Sequence, residues 1–161
     1  MTRLAALAGL LCAAALAGCA GSRSDVHRED GYSLAYFHKV AVPAFIDPSG
    51  RGAEVAQALR ARLLAAGQGV ADPAAVDPIL KQASGETLGL EALERLKFQA
   101  GVDSLVLGRM APDWSSASVL FYETDMGDSL LRAVVHPEKG HKAFESADDA
   151  AARIFAVLAG K

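Results

Sequence analysis

Residues 100–110 read AGVDSLVLGRM, and over residues 102–110 the apolar character is almost unbroken. A strand with one wet face alternates apolar and polar side chains, whereas a strand covered on both faces has no polar side to show. The run therefore predicts a central strand with helices on both sides of its sheet. Upstream, LGLEALERLKFQAG sets Leu90, Leu93, Leu96 and Ala100 on one helical stripe, leaving Glu91, Glu94, Arg95 and Lys97 on the polar side. Downstream, PDWSSA breaks into a loop, and SVLFYETDMGDSLLRAVV reads as a hairpin turning near residues 125–128.

The same alternation of strand and helix extends toward the N-terminus. HKVAVPAFI, residues 38–46, is an apolar, β-branched run with Pro43 near its far end. DPSGRG turns the chain, and AEVAQALRARLLAAG then spaces Val55, Leu59 and Leu63 along one helical face up to the stop at Gly67. QGVAD is a short strand. Asp72-Pro73 and Asp77-Pro78 each offer a helix start, an N-cap followed by proline, and both cannot open one regular helix, so either a single turn precedes a helix at Pro78 or the helix begins only there. At the far end, SADDAAARIFAVLAG carries Ser146 and Asp149 in capping-box spacing before a stripe of Ala147, Ala150, Ala151, Ile154, Phe155 and Leu158. The fold class is α/β (α+β), one domain over residues 36–161, with a mixed sheet of about five strands flanked by about four helices.

Residues 1–35 are of another kind. Arg3 precedes residues 4–17, which hold no charge, and fourteen helical residues reach only about 21 Å against a hydrocarbon core of about 30 Å. This is the pattern of a cleaved signal rather than a membrane span. It ends in LAGC, residues 16–19, which matches the lipobox of bacterial lipoproteins. The resemblance implies a signal peptide over residues 1–18, diacylglycerol on the Cys19 thiol, cleavage before Cys19 and a further acyl chain, such as palmitate, on the new amino group. Ala20 after the cysteine implies the outer membrane by the sorting rule of enteric bacteria, with the inner membrane as the alternative. Residues 20–31, AGSRSDVHREDG, are polar and aperiodic, so residues 19–35 are expected to be a lipidated tether.

Cleavage leaves 143 residues with 15 basic and 19 acidic side chains, a net of −4, which argues against nucleic acid as a partner. Cys12 leaves with the signal and Cys19 is capped, so the mature chain has no free thiol.

Four phrases resemble the α/β domain shared by the curli-secretion lipoprotein CsgG, the N-terminal domain of TolB and lipoprotein activators of penicillin-binding proteins. They are KVAVPAF, VAQALRARLLAAGQGVAD, AGVDSLVLGRM and the hairpin SVLFYETDMGDSL. The chain lacks the insertions expected of a curli pore and the long tether expected of the activators. The resemblance implies an accessory role in envelope secretion or biogenesis.

No catalytic pattern stands out. The turn DPSGRGAEV follows a strand and opens a helix, but Val55 stands where a dinucleotide motif needs its third glycine, so tight turning explains Gly50 and Gly52 better than a phosphate does. His136 and His141 flank PEKG with Glu138 between them, too few convergent ligands for zinc. His27 and His38 have no identifiable partner. The serines of PDWSSAS sit in no nucleophile elbow. Trp114 is a candidate partner contact, weighed against a tryptophan folded back over the sheet, and the hairpin over residues 118–135 is another, offering an edge strand to a second chain. No cofactor and no metal is expected. The expected partners are the membrane, through lipid on Cys19, and an envelope protein or a second copy. The alternatives are an envelope hydrolase, which requires a deep polar pocket near residues 47–52 and 112–116, and a small-ligand sensor using the turn at Gly50 and Gly52.

Overall fold

The computed structural model describes residues 24–83 and 88–161. The expected signal peptide and the acylation site at Cys19 lie outside the described residues. The strands are β1 (Asp25–Arg28), β2 (Lys39–Ala41), β3 (Gly69–Val70), β4 (Ser104–Met110), β5 (Ala117–Glu123) and β6 (Ser129–Val135). The helices are α1 (Gly52–Ala65), α2 (Pro73–Gln82), α3 (Leu90–Ala100) and α4 (Ala147–Leu158). The strands form one mixed sheet in the order β1-β6-β5-β4-β2-β3, in which β2 is parallel to both β3 and β4, and the remaining pairs are antiparallel.

The strand over residues 104–110 is central, as its apolar run predicts. Leu105 and Val106 point to opposite faces and both are fully buried. Val106 joins the larger core, where Leu59 and Leu63 of α1 and Ile154 and Leu158 of α4 pack on Val119, Phe121 and Leu131. Leu105 joins the smaller one, with Val76 and Ile79 of α2 and Leu93 and Leu96 of α3. Fully burying each such side chain contributes about 1.5–3 kcal/mol, so these two layers carry the fold.

Three residues between α3 and β4 position much of this. Gly101, at φ +64°, ends α3 in the left-handed region. The Asp103 carboxylate accepts from the amides of His38 at 2.6 Å and Lys39 at 3.1 Å, fixing where β2 begins. The Thr124 hydroxyl donates to the Val102 carbonyl at 2.9 Å, tying the hairpin to the same corner.

The structure corrects three expectations. The sheet has a sixth strand because residues 25–28, expected in the tether, pair with residues 131–134 of β6. DVHR is short, charged and exposed at every position, so nothing in its pattern marks a strand; the open edge of β6 and α4 recruit it. Arg28 donates to the Val157 carbonyl at 2.7 Å and the Tyr32 hydroxyl to that of Leu158 at 3.1 Å, capping the last turn of α4. Consequently the hairpin does not offer β6 as a free edge, since β1 covers it. Finally, α2 runs unbroken through Pro78, starting from Asp72, whose side chain accepts from the Ala74 amide at 2.9 Å. Pro78 and Ala74 are both exposed, so the Ala74 carbonyl that loses its partner faces water while Val76 and Ile79 stay buried.

Candidate functional site

The turn between β2 and α1 holds Gly50 and Gly52, where backbone amides could cradle a phosphate. Three of the turn's amides are taken, that of Gly50 by the Asp47 carbonyl at 3.0 Å. The Asp47 carboxylate accepts from the Ser49 amide at 3.0 Å, the Ser49 hydroxyl at 2.6 Å and the Arg51 amide at 3.0 Å. An anion therefore already sits at the N-terminus of α1, where the helix dipole favours one, and a phosphate would meet its repulsion. Desolvation pushes the Asp47 carboxyl up, but the donations from Ser49 and Arg51 outweigh it and hold it below the usual aspartate value. The glycines are steric: a Cβ on Gly52 would lie 1.8 Å from the Phe45 carbonyl oxygen, and Gly50 has φ +80°.

Trp114 lies inside the fold rather than on its surface. It is 7% exposed and packs in the larger core, because the loop over residues 111–116 folds its indole back under the Gly50 turn. Its ring nitrogen donates to the Ser49 hydroxyl at 3.3 Å, and the Arg51 guanidinium lies 4.2 Å from the ring centroid. Trp114 is also the only non-glycine at positive φ among the described residues, at +59°. That conformation costs about 1–3 kcal/mol and persists because the indole is anchored on both sides. Between residues 47–52 and 112–116, where the hydrolase reading requires a pocket, the structure places the Trp114 indole.

The histidines do not converge. His136 Nδ1 lies 3.4 Å from the Ser115 carbonyl, His141 pairs with Glu145 at 2.9 Å, and Glu138 turns away to Arg153 at 3.0 Å. His38 finds Asp103 at 3.4 Å and His27 finds Glu29 at 3.2 Å, both near the surface. Among the described residues no cluster of three or more His, Cys, Asp or Glu side chains could hold a metal ion.

What remains is a face of the sheet. On the side of α2 and α3, helices cover β3, β2 and β4, and no described helix covers β5, β6 and β1. Register fixes what that strip displays, since residues directly opposite share a face. One row runs Leu107, Leu120, Arg132, His27; the next runs Arg109, Ser118, Val134, Asp25. Leu120 and Val134 are half-buried, whereas Arg109 and Arg132 are exposed. The strip forms a shallow depression of about 550 Å³ over β1, β6 and β5, with Leu120 and Val134 on its floor and Asp25, His27 and Arg132 around them. The sequence carries a faint sign of it. The β5 and β6 runs alternate around Ser118 and Arg132, whereas the β4 run does not.

No family model matches the sequence, and no curated protein matches it either. Solved structures do. The chain is similar to a point variant of the PelC dodecamer from Paraburkholderia phytofirmans, at 15% identity over 86% of this chain and 100% of that one, with a TM-score of 0.55. It also matches E. coli LpoB, at 11% identity over 61% of this chain and 56% of that one, with a TM-score of 0.44. A third match is lipoprotein GNA1162 from Neisseria meningitidis, at 18% identity over 64% and 81% of the two chains, with a TM-score of 0.43. The PelC match describes a shared fold across the whole folded body of this chain, and the two lower scores add nothing to that.

Proposed function

We propose that the chain is a non-enzymatic, lipid-anchored envelope protein that works by binding protein, in the first place further copies of itself. The observation that carries this reading is the half-covered sheet. A strip three strands wide keeps Leu120 and Val134 on its floor and, among the described residues, an Arg132 with no ion-pair partner, a surface suited to docking. The fold it shares with PelC, whose structure is described as a dodecamer, supports self-association. The lipobox ending at Cys19 supports the anchor, and the CsgG- and TolB-like phrases support a periplasm-facing accessory role in secretion or biogenesis at the outer membrane.

The position of β1 sharpens the geometry of that anchor. From Cys19 to Asp25 the backbone reaches at most about 20 Å. Asp25 lies at the end of the sheet where β4 and β6 finish, so that end would stay near the bilayer. The test is crosslinking in intact cells followed by mass spectrometry. Specific recovery of the chain joined to itself, alone or with an envelope protein, is expected; repeated recovery of uncrosslinked chain alone would contradict the reading.

A further inference from the structure

Between the expected lipid anchor and the body of the protein lies β1, and β1 is held lightly. It is the last strand of the sheet, so only one of its edges is paired, over four residues. None of its side chains is buried. His27 pairs with Glu29 at 3.2 Å, a contact within the segment that fastens nothing to the body. Among the described residues, the side-chain hydrogen bond from β1 to the body is that of Arg28 to the Val157 carbonyl at 2.7 Å.

From Tyr32 onward the chain is rooted instead. The Tyr32 ring meets Phe121 edge-on with centroids 5.3 Å apart, its hydroxyl donates to the Leu158 carbonyl, and Leu34 is buried in the larger core. Between the two regimes lies the turn over residues 29–31. Gly31 has φ +82°, and a Cβ there would meet no atom within 4 Å, so the chain has room to swing at this point. An open hinge therefore separates a segment with no buried side chain from one planted in the core. Such a segment can leave without opening a cavity: water replaces its ladder hydrogen bonds and its backbone regains freedom.

Opening changes the reach of the anchor. With β1 docked, the stretch from Cys19 to Asp25 spans at most about 20 Å; with β1 free, the stretch from Cys19 to Tyr32 spans at most about 45 Å. The point of attachment also moves from the Asp25 end of the sheet to the opposite end, where α4 finishes. We propose that β1 is a releasable strap, which holds the Asp25 end of the body against the membrane when docked on β6 and, released at the Gly31 hinge, lets the body swing outward on about twice the reach. The change of reach rests on the lipid-anchored reading; the opening of β1 does not.

The test uses the full-length chain purified from its own membranes, and native-state hydrogen exchange reads the strap directly. The Glu29 amide donates to the Leu130 carbonyl at 3.0 Å, and the alternation of an antiparallel ladder pairs the His27 amide with Arg132. Both amides are expected to exchange about a hundredfold or more faster than those of β4 and β5. Dilute urea should change their rates little, because a local opening exposes little surface. His27→Cys with Arg132→Cys joins two exposed residues that face each other within the span of a disulfide, and this bridge should slow both amides until a reductant is added. Arg28→Ala with Tyr32→Phe removes both fastenings to α4 and should speed them. Reach is read on vesicles of phosphatidylethanolamine and phosphatidylglycerol carrying dansyl headgroups, with Trp114, the sole tryptophan, as energy donor. Trp114 sits in the loop after β4, at the Asp25 end, so the bridged form should transfer about twofold or more above the released form. Wild-type amides at residues 27 and 29 as slow as those of β5 overturn the strap. Equal transfer from the bridged and released forms overturns its role in reach. A chain that carries no fatty acyl mass and leaves the vesicles overturns the anchored reading and the change of reach with it, while the exchange rates still decide whether β1 opens.

Discussion

At Gly52 the backbone of α1 passes so close to Phe45 that only a hydrogen fits, with the Phe45 amide donating to the Gly52 carbonyl at 3.1 Å. Gly52→Ala should therefore cost about 3 kcal/mol or more, because neither partner is a side chain that can swing away. Gly50→Ala has free space around its Cβ and only its backbone conformation to resist, so about 1–2 kcal/mol is expected. Urea denaturation of the two variants separates these cases by their midpoints. Asp47 yields a second prediction. Its carboxyl is held below the ordinary value of 3.8, so its contribution is fully present above that pH and lost as pH falls through its lower folded value. The stability difference between wild type and Asp47→Asn should be constant near neutrality and shrink only on acidification below about pH 4. A difference that shrinks between pH 7 and 5 would contradict the assignment.

The elements were unequally legible. The central strand, the flanking helices and the hairpin follow from patterns a sequence displays directly: the unbroken run over residues 102–110, the four-residue spacing of Val55, Leu59 and Leu63, and the Ser146–Asp149 spacing. In the structure the Ser146 hydroxyl accepts from the Asp149 amide at 3.1 Å. The strand β1 was illegible because its stability comes from β6 and α4, not from DVHR. Arg28→Ala should cost about 1–2 kcal/mol and loosen the segment before Tyr32, seen as faster amide exchange over residues 25–32. The course of α2 was misread for a related reason: the cost of an internal proline depends on whether the freed carbonyl can meet water. Pro78→Ala restores an amide for Ala74 and should stabilise the protein by about 1–2 kcal/mol, part of the gain being offset by a freer unfolded chain. A destabilised Pro78→Ala variant in thermal melts would contradict this view of α2. The docking strip was hidden for a third reason. Sequence shows that β5 and β6 alternate, but not that the helix layer above them stops short.

Across the whole molecule, the larger core is complete, while among the described residues helices cover the other side of the sheet over only half its width. A domain gains by closing such a face, so the open strip over β5, β6 and β1 is consistent with the proposed protein-binding role. The short reach from Cys19 to β1 would hold each copy near the membrane and raise the local concentration at which copies meet. Native mass spectrometry of the protein released from its own membranes reads the anchor and the assembly together. The expected spectrum shows protomers that begin at Cys19 and carry fatty acyl mass, present in assemblies of two or more. Unacylated protomers with another N-terminus, flying singly at every concentration, would contradict it.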